Sequence, residues 1–166
     1  MKRDLYPAER QMLKVVSDAS NELYDRKEWS GRVWTKTVQE SLATLGRASG
    51  FRAFFSGEED NSAWLWDLTW LDVEENWERF QGVYLACETE WSDQLGEHLR
   101  DFMKLVVAES KYRLFVCQVK DAEAWTSERF QALIDASAEV IGKRFLVIGV
   151  PPTKPKGAYP HVAWTT

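Results

Sequence analysis

The stretch Gly82-Val-Tyr-Leu-Ala-Cys-Glu-Thr-Glu-Trp91 is an apolar run that ends in two glutamates, Glu88 and Glu90. The run predicts a β-strand, in which residues i and i+2 point to the same side. Both carboxylates are therefore expected to leave one face of the strand together. Two negative charges this close repel each other unless a cation or a proton lies between them. The stretch thus predicts a strand and, at its end, a place for a cation.

A second apolar run, Ala63-Trp-Leu-Trp-Asp-Leu-Thr-Trp-Leu71, precedes the first and carries a single acid, Asp67, at its centre. A carboxylate inside a tryptophan-rich strand is costly to bury without a partner. Asp67, Glu88 and Glu90 together place three acids on two predicted strands. This arrangement favours a divalent-metal site where the two strands approach each other.

The spacing of apolar residues predicts four helices and five strands. The helices are expected at about 7–24, 31–46, 93–106 and 127–141, and the strands at 51–55, 63–71, 82–91, 112–119 and 144–150. The order α, α, β, β, β, α, β, α, β predicts the α/β class. Three successive strands can form an antiparallel meander, and the later strand–helix–strand units suit parallel crossovers. The expected product is a mixed β-sheet flanked by helices.

The size and charge of the chain limit the classes of function. Its 166 residues fit one domain, 1–166, with a core at about 31–150 and a C-terminal tail at 151–166. The net charge of −5 argues against a protein that coats nucleic acid by bulk charge. This net charge does not exclude a nuclease that has a local basic groove and an acidic metal centre.

The cysteines and histidines do not form a metal-binding pattern. Cys87 and Cys117 each lie in an apolar run, where free cysteine behaves as a small core residue. The sequence has no CxxC pair, and His98 and His161 are far apart, so a zinc site is not indicated. There is no apolar signal-peptide segment and no run near the roughly 18 apolar residues of a membrane span. We therefore expect a reduced, cytoplasmic protein that has no membrane partner.

The order of helix, three strands, helix and strand, with Asp67 in the second strand and Glu88-Thr-Glu90 at the end of the third, resembles the PD-(D/E)xK nuclease superfamily. The resemblance covers about residues 31–118. It implies a restriction-endonuclease-like αβββαβ core, to which this chain adds a helix and a strand. It also implies a metal-dependent nuclease that hydrolyses phosphodiester bonds, with nucleic acid as its partner. A domain this small would have to form a homodimer, or bind another protein, in order to bind a duplex.

The resemblance assigns roles to the three acids. It implies that Asp67 and Glu88 bind a divalent ion, Mg²⁺ or Mn²⁺, and that Glu90 completes the catalytic group. Mg²⁺ prefers oxygen ligands and usually takes only one or two carboxylates. The family's third motif position is normally lysine, and here it is Glu90. Glu90 could orient or deprotonate the attacking water or bind a second ion. Without the motif lysine, the metal would have to stabilise more of the negative charge that develops on the phosphate.

Three further residues are candidates for the same site. The resemblance implies an additional acid on the helix before the first strand, for which Glu40 is the candidate. Some members of the superfamily carry a displaced lysine on the helix after the third strand, and Lys104 could match it. Gln118, at the end of its strand, could line the same crevice. The helical positions of Glu40 and Lys104 are also typical of solvated helix faces.

The residues allow two interpretations other than a nuclease. Glu88 and Glu90 could mark the point where a strand emerges into solvent, and Asp67 could be a structural acid bonded to backbone amides or to an arginine. The fold would then be a non-catalytic binding or regulatory module. Trp77 and Trp91, in or beside loops, allow a ligand- or glycan-binding protein as well. The sequence contains neither a glycine-rich phosphate loop nor a GxSxG nucleophile elbow.

Overall fold

The chain alternates helices and strands after an opening pair of helices. The computed structural model describes residues 4–57, 65–74, 76–120 and 128–166. Its helices are α1 (Pro7–Asp25), α2 (Gly31–Ala48), α3 (Leu95–Val107) and α4 (Glu128–Ala136). Its strands are β1 (Arg52–Phe55), β2 (Leu68–Val73), β3 (Phe80–Glu90), β4 (Ser110–Gln118), β5 (Arg144–Val150) and β6 (His161–Thr165). The predicted order of elements is confirmed, and the structure adds one strand that was not predicted, β6, after β5.

The described strands form one mixed sheet in the order β1-β2-β3-β4-β5-β6. Strands β1, β2 and β3 are antiparallel neighbours, β3, β4 and β5 are parallel, and β6 pairs antiparallel with β5. Helix α3 connects β3 to β4, as a parallel pair requires, because the chain must return to the edge from which it started. The predicted α/β class with a mixed sheet flanked by helices is therefore confirmed.

Helices cover both faces of the sheet, so the central strands are buried on both sides. On one face α1 and α2 pack in a cluster that includes Leu42 of α2 and Cys87 of β3. On the other face α3 and α4 pack in a cluster that includes Phe102 of α3 and Ala86 of β3. Both cysteines are free and buried, as predicted for core residues. Because side chains alternate along a strand, Glu88 follows Ala86 onto the α3 face.

Strand β2 begins later than the sequence predicts. It starts at Leu68, so Asp67 immediately precedes the strand and does not lie at its centre. The predicted first residues, 63 and 64, lie outside the described residues. The backbone carbonyl of Asp67 accepts a hydrogen bond from the Ser56 N–H at 2.9 Å. This bond extends the pairing of Phe55 with Leu68 by one position, so Asp67 lies beside Ser56 at the start of β2.

The C-terminal segment is part of the sheet and is not a tail. Residues His161–Thr165 form β6, which pairs with β5 along its length. The ring of Trp164 stacks on Phe145 of β5 with ring centroids 5.1 Å apart. Helix α1 also contributes buried side chains to the cluster on its face. The folded core thus extends beyond the predicted range of 31–150 at both ends.

We expect the substitution Gly46→Ala to destabilise the protein by about 1–3 kcal/mol. A Cβ atom at position 46 would lie 2.6 Å from Nε1 of Trp70, whose side chain is almost completely buried and has no room to move. Helix propensity alone gives the opposite sign, because alanine is about 1 kcal/mol better than glycine inside a helix. Urea unfolding measures the difference. A stabilised Gly46→Ala variant would contradict the close packing of α2 on β2.

The matched control for Gly46 is Gly96, which lies on the exposed side of α3. A Cβ atom at position 96 would meet nothing within 4 Å. We expect Gly96→Ala to be neutral or slightly stabilising, since only helix propensity acts there.

Candidate functional site

Glu88 is a buried carboxylate near the end of β3, a central strand of the sheet. It pairs with Phe115 of the parallel neighbour β4, and its side chain faces α3. Only 1% of Glu88 is exposed. Its Oε2 accepts a hydrogen bond from Nζ of Lys104 at 2.9 Å. Its Oε1 is buried and has no hydrogen-bond partner among the residues that the structure describes. One oxygen of this carboxylate is therefore left to accept a proton or a cation.

Helix α3 supplies the cation that lies against Glu88. The Nζ atom of Lys104 is also 2.8 Å from Oδ1 of Asp101, which lies one helical turn earlier. Burial lowers the pKa of Lys104, but the hydrogen bonds to Asp101 and Glu88 outweigh it, and the net pKa is raised. Lys104 therefore carries a positive charge at neutral pH while 48% of its side chain stays exposed. It connects the buried acid to the surface.

Asp67 is fixed by a chain of hydrogen bonds that starts on the other face of the sheet. Its Oδ2 accepts bonds from the Thr89 N–H at 2.9 Å and from the Thr89 hydroxyl at 2.7 Å. The Thr89 hydroxyl in turn accepts a bond from Nε2 of Gln39 at 3.2 Å. Gln39 Oε1 accepts a bond from the Ser56 hydroxyl at 3.0 Å. Because each hydroxyl and amide has a defined role, the network holds Asp67 at the end of β3.

Glu90 ends β3 on the same face as Glu88. Its Oε1 accepts a hydrogen bond from the Ser92 N–H at 2.6 Å. Burial raises the pKa of Glu90, the Ser92 bond lowers it, and a hydrogen bond to Asp101 raises it further. Asp101 therefore lies beside both Glu90 and Lys104.

The charges of Asp67 and Glu88 act on each other. The pKa of Glu88 is raised to about 7, first by burial and second by the negative charge of Asp67. The hydrogen bond and the charge of Lys104 lower it only in part. Glu88 is consequently divided between its protonated and ionised forms near neutral pH. A divalent cation would compete with that proton for the same carboxylate.

The structure brings four of the predicted residues together at the end of β3. These residues are Asp67, Glu88, Glu90 and Lys104. It does not bring Glu40 to them, because Glu40 lies on the exposed side of α2, 3.7 Å from Lys36. Gln118 ends β4 and lines a pocket on the α1–α2 face, not the acidic group.

Three polar residues of the site were not predicted from the sequence. Asp101 could have been found, because it lies three positions before Lys104 and such pairs face each other on a helix. Gln39 and Thr89 gave no signal of their own. A polar residue on an apolar helix stripe is visible in the sequence, but the partner that it bonds is not.

Among the described residues there is no group of three or more acidic, histidine or cysteine side chains arranged to hold a metal ion. Mg²⁺ usually takes one or two carboxylates and fills its other positions with water and substrate oxygens. The free, buried Oε1 of Glu88 and the neighbouring Asp67 therefore fit such an ion. No described helix is long and apolar enough to span a membrane. Comparison with protein-family models, curated proteins and solved structures finds no match to this chain.

We expect the free energy of unfolding to fall as the pH rises from about 4.5 to about 7, by about 1–3 kcal/mol, in the presence of EDTA. The pKa of Glu88 is higher in the folded protein than its ordinary value of 4.5, so over this range the folded state binds more protons than the unfolded chain. Urea unfolding at several pH values measures the effect.

The substitution Glu88→Gln provides the control for this pH dependence. Glutamine mimics the neutral acid, so the variant should lose most of the fall and be more stable than the wild type at alkaline pH. If Glu88→Gln keeps the full pH dependence, Glu88 is not the titrating group.

Proposed function

We propose that this protein is a metal-dependent phosphodiesterase that acts on nucleic acid, a nuclease of the restriction-endonuclease-like type. One observation carries the proposal. The Glu88 carboxylate is 1% exposed, lies near Asp67 and Lys104, and has one oxygen that accepts no hydrogen bond from the described part of the chain. Such a carboxylate costs free energy in a purely structural role. A cation that binds it removes this cost, and the lysine adds a charge that can face a phosphate.

The element order supports the same proposal. The chain runs α2, β1, β2, β3, α3, β4, which is the αβββαβ order that the sequence resemblance implies. Strands β1 to β3 are antiparallel and β4 is parallel to β3. Lys104 lies on the helix that follows the third strand, where a displaced lysine is expected. Its contact with Glu88 supports the use of this lysine in place of the missing motif lysine.

Each residue has a distinct task in the proposed reaction. Asp67 and Glu88 would hold the ion through carboxylate oxygens, and the bound ion would neutralise phosphate charge and acidify a water. The Lys104 ammonium would stabilise the negative charge that develops on the phosphate oxygens. The Glu90 carboxyl, beside Asp101, would accept a proton from the attacking water. Gln39 and Thr89 position Asp67 through the hydrogen bonds described above and do not touch substrate.

We expect Mn²⁺ or Mg²⁺ to raise the melting temperature of the wild type but not of Asp67→Asn. A ligand that binds only the folded state stabilises it by about 2.7 kcal/mol at a hundredfold excess over Kd. Asparagine keeps an acceptor for Thr89, so the fold should persist, and a melting curve in EDTA checks this. Glu40→Ala, which changes an exposed acid on α2, should respond to metal as the wild type does. A wild type that shows no shift with either ion would overturn the metal site.

A second candidate function is a non-catalytic binding module. Lys104 already neutralises much of the charge on Glu88, and Thr89 already holds Asp67. In this case plasmid, single-stranded DNA and RNA should all remain intact with Mn²⁺ or Mg²⁺. Cleavage that is lost in Asp67→Asn and retained in Glu40→Ala would exclude the module and leave the nuclease.

A further inference from the structure

A pocket of about 210 Å³ opens at the carboxyl ends of β3, β4 and β5 on the α1–α2 face. Open α/β sheets commonly bind ligands outside the carboxyl ends of their parallel strands. Its principal walls are Tyr24, Trp29, Trp34, Trp91 and Gln118. The volume is below the roughly 300–1,000 Å³ of pockets for drug-sized ligands. It suits a ligand of one or two fused rings.

The aromatic walls are held in place by hydrogen bonds of their own. Nε1 of Trp34 donates to the Glu28 carbonyl at 2.8 Å, and Nε1 of Trp91 donates to the Thr35 hydroxyl at 2.7 Å. The rings of Trp34 and Trp91 are 5.5 Å apart with an interplanar angle of 61°. They therefore present a fixed apolar corner, and their polar atoms are already satisfied. A ligand here would contact ring surface and not indole N–H groups.

Trp29 forms the outer wall of the pocket and is exposed on its other side. Its ring lies 6.3 Å from that of Tyr24, and 64% of the residue is exposed. An exposed tryptophan beside buried aromatic rings can cover a flat ligand without a change in the core. This wall is thus available for stacking.

Gln118 supplies the polar group of the pocket. It is the last residue of β4, it is partly exposed, and it lines the pocket. A primary amide offers both a donor and an acceptor. Glutamine amides commonly bond in this way to the edge of a base. The pocket therefore combines flat apolar walls with one donor–acceptor pair.

We propose that this pocket binds one unpaired nucleobase of the nucleic-acid substrate. The choice of a nucleobase over another flat ring rests on the proposed function. Trp91 directly follows Glu90, so the pocket and the acidic group lie at the same end of β3, on opposite faces of the sheet. A strand that passes over this edge can place a phosphate at one side and a base at the other. Base stacking on aromatic side chains is tolerant of sequence, which favours a single-stranded substrate.

The test is a titration of the full chain with nucleoside monophosphates in EDTA. Calorimetry and ligand-detected NMR measure the dissociation constant. We expect Trp29→Ala to weaken binding about fivefold or more, because one base–aromatic stack contributes at least that much. Gln118→Ala should weaken binding and reduce the differences among bases. The control is Trp77→Ala, which removes an exposed tryptophan that lies against Phe54 of β1 and does not line the pocket, and it should bind as the wild type does.

The absence of metal separates this proposal from the proposed function. In EDTA the wild type should bind the monophosphates whether or not the protein is a nuclease. If the wild type binds no monophosphate at millimolar concentration, or if Trp29→Ala and Trp77→Ala behave alike, the base pocket is overturned. Binding of a neutral sugar in preference to every nucleotide would also overturn it and favour a glycan site.

Discussion

Replacement of Lys104 by methionine is expected to lower metal-dependent cleavage by about 100- to 1,000-fold. This is the usual loss when one group that stabilises transition-state charge is removed. The Nζ atom of Lys104 contacts both Glu88 and Asp101, and half of the side chain reaches solvent, where a phosphate can approach. The loss should appear in kcat more than in KM, since the charge develops during the reaction. Steady-state cleavage of single-stranded DNA with Mn²⁺ measures it.

The control for Lys104→Met is Arg100→Met on the same helix. Arg100 also pairs with an acid of its own turn, at 2.7 Å from Glu97, and 69% of its side chain is exposed. Its loss should leave kcat nearly unchanged. Lys104→Met should also shift the pH–rate profile to higher pH. The reason is that the positive charge of Lys104 lowers the pKa of Glu88, and the variant lacks it. Equal kcat values for the two variants would exclude Lys104 from the reaction.

The sequence predicted the class of the fold because the relevant signals are local. The apolar run that ends at Glu90 and the spacing of apolar residues in α3 define a strand and a helix in chain order. A strand–helix–strand unit then has one favoured connection. The sequence also identified Lys104 as a candidate, although its helical position is that of a solvated face. A long side chain can leave such a face and reach a neighbouring strand, which a helical wheel does not show.

Other features depended on contacts between distant parts of the chain. Asp67 was predicted inside a strand because the residues around it are apolar, but β2 begins at Leu68, one position after it. Strand β6 follows a segment with four prolines and has only five residues, so its pairing with β5 decides its structure. The network from Ser56 through Gln39 to Thr89 joins three elements. No periodicity within one element could have revealed it.

A second large effect is expected at the N-terminal end of α1. We expect Arg144→Met to destabilise the protein by about 3–5 kcal/mol, the usual result when one partner of a buried ion pair is removed. Nε and Nη2 of Arg144 lie 2.6 Å from Oε1 and Oε2 of Glu9, and both residues are buried. The Arg144 guanidinium also lies over the ring of Tyr6, 4.2 Å from its centroid. Without Arg144, Glu9 would remain as an uncompensated charge between α1 and β5.

The double variant Glu9→Met/Arg144→Met separates two contributions to the destabilisation. One is the loss of the stabilisation that the ion pair gives, and the other is the cost of leaving the Glu9 charge buried without a partner. Two apolar side chains of similar volume often replace a buried ion pair without loss of stability. The double variant should therefore be clearly more stable than Arg144→Met alone in urea unfolding. Lys14→Met, which breaks an exposed pair with Asp18 on the same helix, should cost less than about 1 kcal/mol. If Arg144→Met costs no more than Lys14→Met, the buried pair does not fix α1 to the sheet, and the pocket wall that α1 carries at Tyr24 must be held by other contacts.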